Sequence, residues 1–146
     1  MEQKTFIRIP RERVGALIGP KGKTKRRIEA TFQVDLTIDG ESGNVDIRVK
    51  PDQPDVSVLF VVRNIVRAIG RGFSPKNALQ LVNEDYDLII MDLEEYVGRS
   101  KNAQNRVKGR IIGKGGKSRA MIEELTECLV SVYGGTVAII GPYDML

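Results

Sequence analysis

The sequence predicts an α+β chain made of two copies of one unit, each running strand, helix, turn, helix, strand, strand. A further covering helix is expected in the first copy only. Three observations lead there. The phrase Ile18-Gly19-Pro20-Lys21-Gly22-Lys23-Thr24 returns as Ile112-Gly113-Lys114-Gly115-Gly116-Lys117-Ser118, 94 positions later. The same offset brings Ile28-Glu29 onto Ile122-Glu123, Leu36-Thr37-Ile38 onto Val130-Ser131-Val132, and Gly40 onto Gly134. Around these landmarks the apolar residues recur with period two where strands are expected and near 3.6 where helices are.

In the first copy, Lys4 to Ile9 alternates and reads as a strand. Pro10 suits a first helical position, where its missing N–H costs nothing. Val14, Leu17 and Ile18 form one face of a short helix, which the glycine turn ends. Thr24, Ile28 and Phe32 line one side of a second helix. Val34 to Ile38 and Val45 to Val49 are strands joined by the turn-forming run Asp39-Gly40-Glu41-Ser42-Gly43-Asn44. Asp55 to Arg71 repeats Val58, Val62, Ile65, Val66 and Ile69 at helical spacing, long enough to cross a three-stranded sheet.

Ser74 is an N-cap for a connecting helix through Val82. In the second copy Tyr86 to Leu93 is the first strand. Val107 and Ile111 mark a short first helix, and Met121, Ile122 and Leu125 a second. Leu129 to Tyr133 and Thr136 to Ile140 pair across Gly134-Gly135. Gly141-Pro142-Tyr143-Asp144 resembles a helix start, but the sequence stops at Leu146, so the second copy is expected to lack its last helix. The boundaries expected are 1–74 for the first domain, 75–84 for the connecting helix and 85–146 for the second domain.

The 146 residues are 41% hydrophobic with a net charge of +4, and the placement of that charge is more telling than its sum. Eight basic residues and no acid lie between Val97 and Arg119; seven basic residues and one acid lie between Arg11 and Arg27. Cations gathered around both glycine turns are the footprint of a phosphate-binding surface. There is no histidine and Cys128 is the sole cysteine, which excludes a disulfide within the chain and a His/Cys zinc site. A reducing, cytoplasmic setting is expected, and Cys128 is expected to be buried. No apolar run approaches the length of a membrane span. No cofactor, metal or membrane partner is expected, and the chain is expected to be a monomer.

A Gly-x-x-Gly turn lets backbone approach a phosphate without Cβ atoms in the way, and the helix that follows aims its first N–H groups at the anion. The residues expected to meet nucleic acid are Ile18, Gly19, Pro20, Lys21, Gly22 and Lys23 in the first copy. In the second they are Lys108, Arg110, Ile112, Gly113, Lys114, Gly115, Gly116, Lys117, Ser118 and Arg119. Pro20 removes a donor, so the second turn is expected to grip more strongly. Gly22-Lys23-Thr24 and Gly116-Lys117-Ser118 mimic the tail of a P-loop. That motif needs a glycine where Leu17 and Ile111 stand, so nucleotide hydrolysis is disfavoured.

The Ile-Gly-x-x-Gly phrase between two helices resembles the KH domain, type I, which clamps about four nucleotides of a single strand across that loop. The segment Arg71-Gly72-Phe73-Ser74-Pro75-Lys76-Asn77-Ala78-Leu79 between the copies is more specific. With the runs Arg110 to Arg119 and Val130 to Gly141, it is similar to the tandem-KH pre-ribosomal RNA factors of the Krr/Dim/Pno group, archaeal type. The resemblance implies a non-enzymatic factor of small-subunit assembly that binds near the 3′ end of its ribosomal RNA. It implies as partners a PIN-domain endonuclease and, in archaea, an initiation-factor subunit. Lys25 and Arg119 depart from the pattern, because KH domains usually carry an aliphatic residue there, and both grooves should be more electrostatic for it.

Two rival readings stay open. An enzyme would need Asp85, Asp87, Asp92, Glu94 and Glu95 to hold Mg²⁺ for phosphodiester cleavage, but a solvated acidic edge is the favoured account of those residues. A protein-interaction scaffold would use the first copy, weakened by Pro20, to dock a partner such as the nuclease or the initiation-factor subunit.

Overall fold

A computed structural model describes residues 3–146, which divide into two compact units, the first running to Leu79 and the second from Gln80 to Leu146. In the first, β1 (Lys4–Arg8) leads through Pro10 and a 3₁₀ turn at Arg11–Arg13 into α1 (Val14–Ile18). Pro10 thus stands one place before the helical turn, in extended backbone, and not inside it. The glycine turn follows, then α2 (Lys23–Phe32), β2 (Val34–Ile38), β3 (Asn44–Val49) and α3 (Val58–Gly70). The antiparallel sheet has the order β1-β3-β2, which leaves β1 and β2 as opposite edges. Leu36 sits across from Ile47, and Ile7 across from Val45.

The first core is what the apolar periodicity asks for. Leu17, Ile28, Val34, Val45, Ile47, Val62, Ile65, Val66 and Ile69 are fully buried, which joins α1, α2 and α3 over one face of the sheet. The covering helix starts at Val58, three residues later than the pattern suggested. Asp55 accepts from the Ser57 amide (2.9 Å) and hydroxyl (2.6 Å), which holds that stretch in a turn. The Arg13 guanidinium donates to the carbonyls of Ile69 (2.8 Å) and Phe73 (2.9 Å), so the end of α3 is satisfied from β1's side of the chain.

Ser74 caps α4 (Pro75–Ala78) by accepting from the Asn77 amide at 3.2 Å. Leu79–Val82 tightens into a 3₁₀ turn, so the connection is one helical turn followed by a tighter one.

The second unit departs more from expectation. Strand β4 (Tyr86–Asp92) stops one residue early, because the Asp92 carboxylate accepts from the Glu94 amide at 2.9 Å and starts an additional short helix, α5 (Leu93–Val97). The helix before the glycine turn, α6 (Lys101–Ile112), is twelve residues long and not short; Ser100 caps it through the Ala103 amide. Then come α7 (Lys117–Thr126), β5 (Leu129–Tyr133) and β6 (Thr136–Pro142), in a sheet of order β4-β6-β5. Leu93, Val130 and Val137 centre a core flanked by Met91, Val107, Ile111, Val132 and Ile139. Cys128 is buried. The Gly141–Asp144 segment starts no α-helix: β6 runs through Pro142, and Tyr143–Met145 is a 3₁₀ turn. Met121 (61%) and Leu125 (73%) on α7 are exposed, as are Arg27 and Thr31 at the matching positions of α2.

Candidate nucleic-acid interface

The two glycine turns have the same backbone. Gly19 has φ 76, ψ 171 and Gly113 has φ 73, ψ 175. Lys21 (54, 27) matches Gly115 (63, 23), and Gly22 (75, 14) matches Gly116 (79, 11). The same hydrogen bond closes each turn, Gly22 N–H to the Gly19 carbonyl at 3.1 Å and Gly116 N–H to the Gly113 carbonyl at 3.2 Å. Three of the four residues in each turn therefore lie at positive φ, and glycine tolerates this best.

The first glycine of each turn has a packing reason as well. A Cβ on Gly19 would lie 2.9 Å from the Thr24 amide nitrogen and against its hydroxyl; one on Gly113 would lie 2.7 Å from that of Ser118 and against its hydroxyl. Gly115, by contrast, has open space around it. Helices α2 and α7 then start from left-handed glycines with no side-chain cap among the described residues, so their first N–H groups face outward.

The expected site residues come together around these turns. Pro20, Lys21 and Lys23 are exposed on the first, with Ile18, Gly19 and Gly22 half-buried. On the second, Arg110, Ile112, Lys114, Gly115, Lys117 and Arg119 are exposed, and Gly113, Gly116 and Ser118 half-buried. Lys108 is tied to the far side of its unit: its ammonium donates to the Gly134 carbonyl in the β5–β6 turn at 2.8 Å. The turn lysines are not equivalent. Lys21 stands at the place of Gly115, whereas Lys114 stands at the place of Pro20, so the two turns project their cations from different corners.

A pair of carboxylates belongs to the same surface. Glu29 accepts the Leu36 amide at 3.0 Å, and Glu123 accepts the Val130 amide at 2.9 Å. Leu36 and Val130 lie on β2 and β5, the edge strands beside each glycine turn. Lys25 pairs with Glu29 at 3.3 Å and Arg119 with Glu123 at 3.9 Å. The two cations that replace aliphatic residues are thus anchored to acids that in turn hold the edge strand. The repeated Ile-Glu dipeptide was the sequence signal for this; its role needed the strand in place.

Three of the acids on β4 and α5 have structural roles. Asp87 accepts the Leu88 amide, Asp92 caps α5, and Glu94 pairs with Arg99 at 3.2 Å. Among the described residues no group of three or more acidic or cysteine side chains converges on a metal-sized site.

Comparison with known proteins finds one family match in each half of the chain. Residues 87–146 match the eukaryotic type KH-domain family (KH-domain type I) in its Pno1 second-domain form, and residues 4–59 match the KH domain family. The crystal structure of Dim2p from Pyrococcus horikoshii is 44% identical, covers 98% of this chain and 83% of that one, and superposes with a TM-score of 0.91. The chain belongs to the Dim2/Pno1 family of tandem-KH proteins. A second Pyrococcus horikoshii structure, a complex of a/eIF2alpha, aDim2p and rRNA, superposes at 0.93 with 43% identity and covers 99% of this chain and 79% of that one. A KH domain-containing protein of Methanocaldococcus jannaschii is 50% identical over 139 residues, 95% of this chain and 60% of the relative. The RNA-binding protein pno1 of Drosophila melanogaster is 27% identical over 114 residues, 77% of this chain and 48% of its own. The chain therefore spans about half to three fifths of the length of these curated Dim2/Pno1 and KH relatives.

Proposed function

We propose that this Dim2/Pno1 chain binds single-stranded ribosomal RNA through its two glycine turns and serves in assembly of the small ribosomal subunit. The observation that carries the reading is the shared backbone of the turns, each ringed by exposed lysines and followed by an uncapped helix start. The relative whose structure was solved with rRNA supports the choice of ligand. Phosphate contacts position the strand; the edge strands β2 and β5, held by Glu29 and Glu123, form the opposite wall of each groove. The substrate is the 3′ region of small-subunit rRNA, the role is binding and not catalysis, and the site is cytoplasmic. A PIN-domain endonuclease and an initiation-factor subunit are the proposed partners, the latter supported by the complex solved for a relative.

Gly115→Asp tests the reading. The position is open and at positive φ, where aspartate is among the better-tolerated residues, so the fold should survive while a carboxylate faces the phosphates. Binding to a 3′ fragment of small-subunit rRNA should weaken at least tenfold. Wild-type affinity should fall steeply with salt, with a log–log slope of about −3 for four single-strand phosphates neutralised. Unchanged affinity in the variant would remove the turn from the interface.

A further inference from the structure

The first unit carries a second surface, at the sheet edge opposite its glycine turn. The turn and α2 flank β2, whereas β1 is the other edge, about 10 Å away across β3. A groove of about 280 Å³ runs beside β1, lined by Lys4, Thr5, Val56, Leu59, Phe60 and Arg63. The last four recur at helical spacing through the start of α3, so they form one wall and β1 forms the other. Phe60 is 73% exposed and Val56 48%, and Phe6 is 66% exposed on the outer face of the same strand.

The hydrogen-bond parity of β1 is fixed by its ends. Val49 N–H donates to the Gln3 carbonyl at 3.0 Å and Ile9 N–H to that of Gly43 at 2.9 Å. Gln3, Thr5, Ile7 and Ile9 thus exchange bonds with β3 and its turn, and the backbone groups of Lys4, Phe6 and Arg8 point away from the sheet. An outward strand edge beside an apolar helix groove is the geometry by which an extended peptide joins a sheet.

We infer that the β1 edge is a docking site for an extended segment of a partner protein in which apolar and acidic residues alternate. Added as a fourth strand, such a segment sends every second side chain to the face of Thr5, into the groove against Val56, Leu59 and Phe60. The intervening side chains lie on the outer face beside Lys4 and Arg8, and there acids are the complementary choice. Arg63 at the groove rim favours the same sign. Cations beside exposed aromatics would also suit a single RNA strand, but the row of outward backbone N–H and C=O groups on β1 favours a peptide strand. The site lies apart from the glycine turn and stands whether or not that turn binds RNA.

The test uses the whole chain and a fluorescent nine-residue peptide alternating glutamate with valine or leucine. Anisotropy should show saturable binding. Phe60→Glu, at an exposed position, should weaken it at least tenfold. Phe6→Pro, which deletes an N–H pointing away from β3, should do the same. Melting curves and binding to the 3′ rRNA fragment should stay unchanged in both. A peptide of the same composition with its glutamates grouped, or one with lysine for glutamate, should bind at least tenfold more weakly. Equal binding of the grouped peptide, or full binding to both variants, would overturn the inference. So would loss of rRNA binding in Phe60→Glu, which would assign the groove to RNA. If Phe6→Pro lowers the melting temperature, Phe60→Glu and amide shift changes at Lys4, Phe6 and Arg8 decide; shifts confined elsewhere would sink the proposal.

Discussion

The carboxylate of Glu123 accepts the backbone N–H of Val130, seven positions onward, at 2.9 Å, and Glu29 accepts that of Leu36 at the same spacing in the first unit. The helix after each glycine turn is thereby bolted to the edge strand that forms the other wall of the groove. Removing either carboxylate leaves a strand-edge N–H without its acceptor. Glu29→Ala and Glu123→Ala should each lower stability by about 1–2 kcal/mol, with the larger loss at Glu29, whose side chain is 16% exposed against 27%. Glutamine keeps an acceptor oxygen and should recover part of the loss. Urea unfolding of the four variants at neutral pH checks this.

The turns respond differently to side chains at their different positions. Gly113→Ala should fail to close the turn, because its Cβ would meet the Ser118 amide nitrogen at 2.7 Å; a loss of about 1–3 kcal/mol is expected. Gly115→Ala meets no atom and carries only the left-handed penalty of about 1 kcal/mol. The reverse change, Lys21→Gly, should stabilise the first unit by up to about 1 kcal/mol, since Lys21 already sits at φ 54. Thermal melts rank the three.

Helix α7 carries exposed apolar residues, whereas Ile28 on α2 is fully buried and its counterpart Ile122 is 37% exposed. Replacing Met121 and Leu125 with lysine and glutamate should change the stability of this chain by no more than about 0.5 kcal/mol, because both are largely exposed. Ile28→Ala, on the matching helix of the first unit, should cost about 2–5 kcal/mol, because Ile28 is fully buried beneath α3. Chemical denaturation separates the cases. A large loss in the α7 variant would mean that a partner covers that face in solution.

Acid sensitivity should come in part from two loop carboxylates. The Glu41 amide and Ser42 hold the Asp39 carboxyl below its ordinary value of 3.8, and the Ser57 hydroxyl and amide do the same for Asp55. A depressed carboxyl stabilises the fold above its unfolded pKa, and that contribution disappears as the pH falls through the folded one. The combined variant Asp39→Asn, Asp55→Asn should therefore lose less melting temperature than the wild type between about pH 4 and pH 2. An identical slope in both proteins would show that these turns are not formed before acidification.

Much of this chain is legible without coordinates. The repeated phrase with its 94-residue offset places both glycine turns, and the period-two and period-3.6 patterns place all six strands and the helices around them. These features are local: turn chemistry, capping by Ser74 and apolar spacing act over a few residues, so they can be read along the chain. The errors also have local causes that a periodicity count does not see, such as the Asp92 carboxylate that ends β4 and starts α5, and the Asp55 turn that delays α3.

The tertiary structure alone decided what depends on distant residues meeting. Only when α7 lies on β5 does Glu123 become an acceptor for the edge strand, as Glu29 does only when α2 lies on β2. The groove beside β1 exists because α3, some fifty residues onward, lands next to the first strand. A sequence specifies which segments are apolar and which bend; the backbone groups a folded edge leaves outward are set by which strand pairs with which, and that is fixed only when the sheet closes.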